Sequence, residues 1–141
     1  MNVPSEDIRH ILEAGLDDSE SSGTGLGLVF GTNLFINREP TKPINCVTIF
    51  DTSGFAPDLD MGGASGYERP SIQIRVRNAK ESIAWTLIEG IKNSLHGRHQ
   101  QTWNGTLYSV IYAVSSPALL DWDDNENCRL VCNFNIQRRA V

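Results

Sequence analysis

Hydrophobic and polar residues alternate most strictly over residues 71–77. There Ile72, Ile74 and Val76 point one way while Gln73, Arg75 and Arg77 point the other, the period of a strand with one buried face. Helical spacing follows at once: Ala84, Leu87, Ile88, Ile91 and Leu95 form a single apolar stripe. Asn78 is placed to cap this helix, Glu81 stands at the offset that completes a capping box, and Gly97 ends it. The pattern predicts a half-exposed strand running straight into a helix of about four to five turns.

Upstream, Ile8, Ile11 and Leu12 recur at helical spacing behind Ser5, a capping residue, with Glu6 and Asp7 in the first turn and Gly15 as a stop. Residues 17–24 are acidic, rich in Ser and broken by Gly, and read as a loop. Strands are predicted over 28–36 and 45–50, with Pro40 and Pro43 marking a turn between them. A long connection over 51–69, holding Gly54, Pro57, Gly62, Gly63 and Gly66, reads as a first projecting element. Two more strands are predicted over 107–114 and 129–137. Between them residues 115–127 carry Pro117 and an acidic run, and read as a second projection. The order helix, strand, strand, strand, helix, strand, strand predicts an α+β domain over 1–141: a mainly antiparallel or mixed sheet with two helices packed on one face.

Composition narrows what such a domain does. The chain has 141 residues, 40% hydrophobic and 21% charged, enough for one core without metal or disulfide support. Its net charge of −5 opposes tight binding of nucleic acid by phosphate neutralisation, whereas an acidic wall would let DNA slide past. No stretch approaches the roughly 20 apolar residues that span a bilayer, so no membrane partner is expected. Residues 1–10 do not read as a secretory signal. Three cysteines, Cys46, Cys128 and Cys132, fit synthesis in a reducing cytoplasm.

Candidate chemistry is thin. The run Gly23-Thr24-Gly25-Leu26-Gly27 lacks the Lys-Ser/Thr ending of a phosphate loop and precedes a strand instead of following one. His96, His99, Cys128 and Cys132 form a metal-like grouping, but two cysteines four apart on a strand lie about 13 Å from each other, too far for one zinc. Asp58, Asp60, Asp121, Asp123, Asp124 and Glu126 could form a two-metal nuclease site, although loop carboxylates beside Gly, Pro and Asn are by default solvated tips. No nucleophile elbow is present. The expectation is a protein without catalytic residues, metal or cofactor.

Charge separation is more informative. Arg69, Arg75, Arg77 and Lys80 cluster around one strand, while Asp58, Asp60, Asp123 and Asp124 sit in the two projections. Opposite charges on different parts of one surface suit a head-to-tail contact between copies; a solvated sheet face is the plain alternative. Trp85 and Trp122 are either core or interface anchors, and Trp122, in an acidic loop, is the better interface candidate.

From residue 47 to 138 the pattern resembles the tail-terminator and minor-capsid (neck) proteins of tailed bacteriophages. The resemblance is carried by Phe50-Asp51-Thr52-Ser53-Gly54-Phe55-Ala56-Pro57 and Tyr67-Glu68-Arg69-Pro70-Ser71-Ile72-Gln73-Ile74-Arg75-Val76-Arg77. After these come Ser94-Leu95-His96-Gly97, Ser115-Ser116-Pro117, Asp124-Asn125-Glu126-Asn127 and Asn133-Phe134-Asn135-Ile136. It implies a structural virion protein, made in the host cytoplasm, whose copies close into a ring, usually a hexamer. Such a ring caps the tail tube and docks to the head-side connector, and the genome passes through its lumen. Residues 17–24 and 39–43 match no feature of that family. Two other readings remain: another neck component, such as a head-completion or connector protein, and a small metal-dependent enzyme using the acidic loops.

Overall fold

A computed structural model of the chain describes residues 1–14, 26–58 and 66–140, without the side chain of Ala14. Its elements are α1 (Pro4–Ala14), β1 (Leu34–Ile36), β2 (Cys46–Phe55), β3 (Arg69–Asn78), α2 (Glu81–Leu95), β4 (Arg98–Trp103), β5 (Thr106–Ala113), β6 (Ala118–Trp122) and β7 (Cys128–Ala140). The strands form one sheet in the order β1-β2-β3-β7-β5-β4, with β6 also paired to β7. Only β1 and β2 run parallel; the other pairs are antiparallel.

The alternation in β3 holds residue by residue: Ile72, Ile74 and Val76 are fully buried. They face Leu130, Cys132 and Phe134 across the β3–β7 register and Val47 and Ile49 across β2. Residues of both helices join the same core, Ile8, Ile11 and Leu12 from α1 and Ala84, Ile88, Ile91 and Leu95 from α2. The architecture is therefore α+β, with both helices on one face of a mixed sheet. Each buried Ile or Leu adds about 1.5–3 kcal/mol, so the stripe of α2 alone fixes that helix to the sheet.

Several boundaries differ from the sequence reading. The predicted strand over 28–36 is reduced to β1. Gly31 adopts φ +85° in a turn where its N–H donates to Leu34 O and Leu34 N–H donates to Val29 O. The connection over 51–69 is shorter than expected, because β2 continues through Asp51–Phe55 and pairs with β3 as far as Phe55 opposite Arg69. The expected loop over 115–127 contains β6, which with β5 borders β7 on one side. β4, read as no element, forms a hairpin with β5 through Asn104 and Gly105 at φ +50° and +77°, the positive φ pair of a type I′ turn. Asn78 ends β3, and its side chain accepts from the Lys80 N–H at 2.9 Å. Lys80 is the N-cap of α2 and makes no side-chain capping bond, so no capping box forms. Gly97 ends α2 as expected, at φ +87°. Gly15, residues 17–24, most of the glycine run at 23–27, and Asp60, Gly62 and Gly63 lie outside the described residues.

Candidate assembly surfaces and the polar seam

The residues proposed for contact do not form one basic face. Arg77, opposite Cys46 on β2, is 8% exposed. Its guanidinium donates to the carbonyls of Ile44 (2.9 Å), Pro43 (2.9 Å) and Pro40, and it pairs with Glu39 at 3.5 Å. Arg77 thus folds the β1–β2 connection across the helix-free side of the sheet. Arg75 donates to Gln73 at 2.8 Å and stacks over the Phe50 ring at 4.8 Å. Arg69 pairs with Asp58 at 3.2 Å near the far end of the β2–β3 pair. Lys80 is exposed and forms no ion pair among the described residues.

The acidic run divides just as sharply. Asp121 is bidentate with Arg129, which also reaches Glu39 at 3.2 Å. This guanidinium holds the Asp121 carboxyl below its ordinary range. Asp123 organises the β6–β7 turn: its Oδ1 accepts from the backbone N–H groups of Asn125 (2.9 Å) and Asn127 (2.8 Å), and its Oδ2 from the Asn127 amide (3.1 Å). Those hydrogen bonds, led by the backbone of Asn127, hold it low as well. What was expected to project is therefore a tight hairpin turn, with Trp122, Asp124, Asn125 and Glu126 of its acidic stretch left exposed. Among the described residues no three His, Cys, Asp or Glu side chains gather as a metal site would require. Cys128 and Cys132 are both buried at core-facing positions of β7, and burial raises the Cys132 thiol to about 11.

Two features escaped sequence reasoning. The first is a buried polar seam beneath α1. Asp7 is 0% exposed; it accepts from the Tyr108 hydroxyl and from the Asn104 amide at 2.8 Å, and lies 3.8 Å from Arg138. Arg138 reaches on to Asn2 O at 2.8 Å and to Glu68 at 3.2 Å. Burial, then the bond to Asp7, raises the Tyr108 hydroxyl, so the phenol keeps its proton and donates. Beside the seam, Asp51 of β2 accepts from the N–H (2.9 Å) and hydroxyl (2.7 Å) of Ser5. A strand carboxylate, not Ser5 itself, therefore satisfies the first turn of α1. The second feature is β6 itself: Leu119 and Leu120, 48% and 38% exposed, join the already nominated Trp122, 49% exposed, on a strand that pairs with β7 alone among the described strands.

A sequence model described as "Bacteriophage tail terminator protein" matches residues 14–139, a span that takes in α2 and every strand. The chain belongs to the bacteriophage tail terminator family. Membership makes it a structural protein of the phage tail and places it in the virion. No curated protein matches the chain. Among solved structures, a chain of "Virion of native gene transfer agent (GTA) particle" is similar with a TM-score of 0.62 at 12% identity. That match covers 98% of this chain and 96% of the other, and at this identity it speaks for the fold of the terminator domain.

Proposed function

We propose that copies of this chain close into a ring, a hexamer in the expected arrangement, that caps the tail tube and joins it to the head-side connector. The family match over residues 14–139 is the observation that carries this reading. On it, the partners are other copies of the chain, the tail tube protein and the connector or stopper protein, with no cofactor and no membrane. The genome passes through the lumen without specific binding, and a net charge of −5 suits a wall that repels phosphates. The reading assigns no catalytic role to any residue. Trp122 and Asp124, on the exposed margin of the β6–β7 hairpin, are proposed as contact residues, whereas Arg77 and Asp123 are engaged within their own chain.

The test is the solution mass of the purified protein by light scattering, alone and with cognate tail tubes. The expected result is a closed ring, either free or on tube tips. A ring that binds filled heads and ignores tubes would assign the chain to another neck position. Metal-dependent hydrolysis lost in an Asp123→Asn, Asp124→Asn variant that still folds would replace the structural reading with an enzyme.

A further inference from the structure

One line of paired residues crosses five strands: Leu34 of β1 opposite Val47, Val47 opposite Val76, Val76 opposite Leu130, and Leu130 opposite Leu119 of β6. The first four are fully buried and the fifth is half exposed. At this level the two rims are β6 and β1 with the turn over 29–31, whose Phe30 bridges to the outer side of Leu34. The β4 rim is a different kind of edge in its side chains, which are polar from Arg98 to Thr102; both edges are irregular, the β4 pairing skipping Gln100 and the β6 pairing skipping Leu120. Polar side chains are one way in which edges are guarded against pairing. β6 has neither a described strand beyond it nor polar side chains at Leu119, Leu120 and Trp122.

The rims complement each other. On the β1 side, Val29 (52%), Phe30 (40%) and Ile44 (43%) are exposed. Arg38 and Lys42, also exposed, form no ion pair among the described residues. On the β6 side the three apolar side chains are followed by Asp124 and Glu126, exposed and likewise unpaired among the described residues. Lys42, four residues before Cys46, shares an end of the sheet with Asp124 and Glu126, whereas Arg38 follows β1 at the level of Ile49, to whose carbonyl the Asn37 N–H donates. Cys46 lies opposite Arg77, and Asn78 opposite Cys128, which lies opposite Trp122. The Ala79 N–H donates to Asn45 at 3.0 Å. Residues just before β2 and the 123–126 turn therefore leave the sheet together. Strand directions agree as well: β6 and β1 run oppositely, so rotation about an axis along the strands brings the β6 of one copy antiparallel to the β1 rim of the next.

We propose that the β6 rim docks onto the β1 rim of a second copy, head to tail. Trp122 and its leucine neighbours cover Val29, Phe30 and Ile44, and Asp124 and Glu126 face Lys42. The occupant is another copy of this chain because its opposite rim supplies both the apolar area and the opposite charge at matching height. Two different, complementary patches give a heterologous contact, the kind that closes into rings. This inference rests on the ring reading above and names the surfaces that would make it.

The experiment is a charge exchange followed by light scattering, alone and with tail tubes, and by thermal melting of each variant. Asp124→Lys with Glu126→Lys is expected to weaken assembly by about tenfold or more, because like charges then oppose each other. Lys42→Glu does the same, and all three changes in one chain restore assembly to within about threefold of the unaltered protein. If the reversals leave the ring intact, or the combined variant melts normally without regaining assembly, the docking surfaces are wrong while the ring stands. If the unaltered chain assembles neither alone nor on tubes, the ring reading falls and this contact with it.

Discussion

The seam beneath α1 and the margin at β6 invert the usual distribution of residues. In the seam a carboxylate, a phenol and a guanidinium are buried together; at β6 a tryptophan and two leucines face outwards. Burying a charge is costly unless it is paired and hydrogen-bonded, so the seam is a commitment within the chain that ties the first helix to the last strand. Leaving large apolar side chains in water forgoes about 25 cal/mol per Å² of cover, which is what a partner on the β6 margin would recover. If the proposed contact holds, one region serves the fold and the other assembly, and their substitutions should separate cleanly.

The largest effect is expected in the seam. Asp7→Ala leaves Arg138 and the Tyr108 hydroxyl without their buried acceptor and should cost about 3–5 kcal/mol, read as a large fall in Tm. An unchanged Tm would mean that the seam contributes nothing to the fold. Arg77→Ala releases the carbonyls of Pro40, Pro43 and Ile44 and should cost about 2–4 kcal/mol, with faster hydrogen exchange confined to residues 39–45. If exchange there stays slow, the connection is held by something other than Arg77.

Acidification probes the margin itself. Asp121 and Asp123 are both held below the ordinary 3.8. Their contribution is therefore present above that value and lost as the pH falls through the lower, folded-state values. Below about pH 4 the β6–β7 turn should loosen, seen as faster amide exchange at Asn125 and Asn127 ahead of global unfolding. Equal loosening across the sheet would contradict the local role given to these carboxylates.

Much of this was legible in the sequence, and the gaps have physical causes. β3 and α2 were readable because each buries one face with a single period. β6 was not, because five residues with two adjacent leucines, interrupted by an aspartate, show no period. β4 has polar outward positions and an irregular residue at Gln100, yet Asn104-Gly105, a strong hairpin signal, was there to find it. The end of β2 was hidden by Thr52, Ser53 and Gly54, polar because they leave the core. Asp7 passed as an ordinary first-turn acid because its partners Tyr108 and Arg138 are more than a hundred positions away. Of the nine residues nominated for contact, Arg75, Arg77, Asp123 and, more loosely, Arg69 and Asp58 are engaged within the chain. A charge pattern alone does not say which carboxylate will build a turn.

The most direct test of the division is the solution mass of Trp122→Ser beside that of the unaltered chain, with Tm recorded for both. The account predicts Tm values within about 2 °C, since a surface change usually shifts stability by no more than about 0.5 kcal/mol, together with loss of the assembled species. A Tm that falls by ten degrees or more, or an assembly that survives the change, would contradict it.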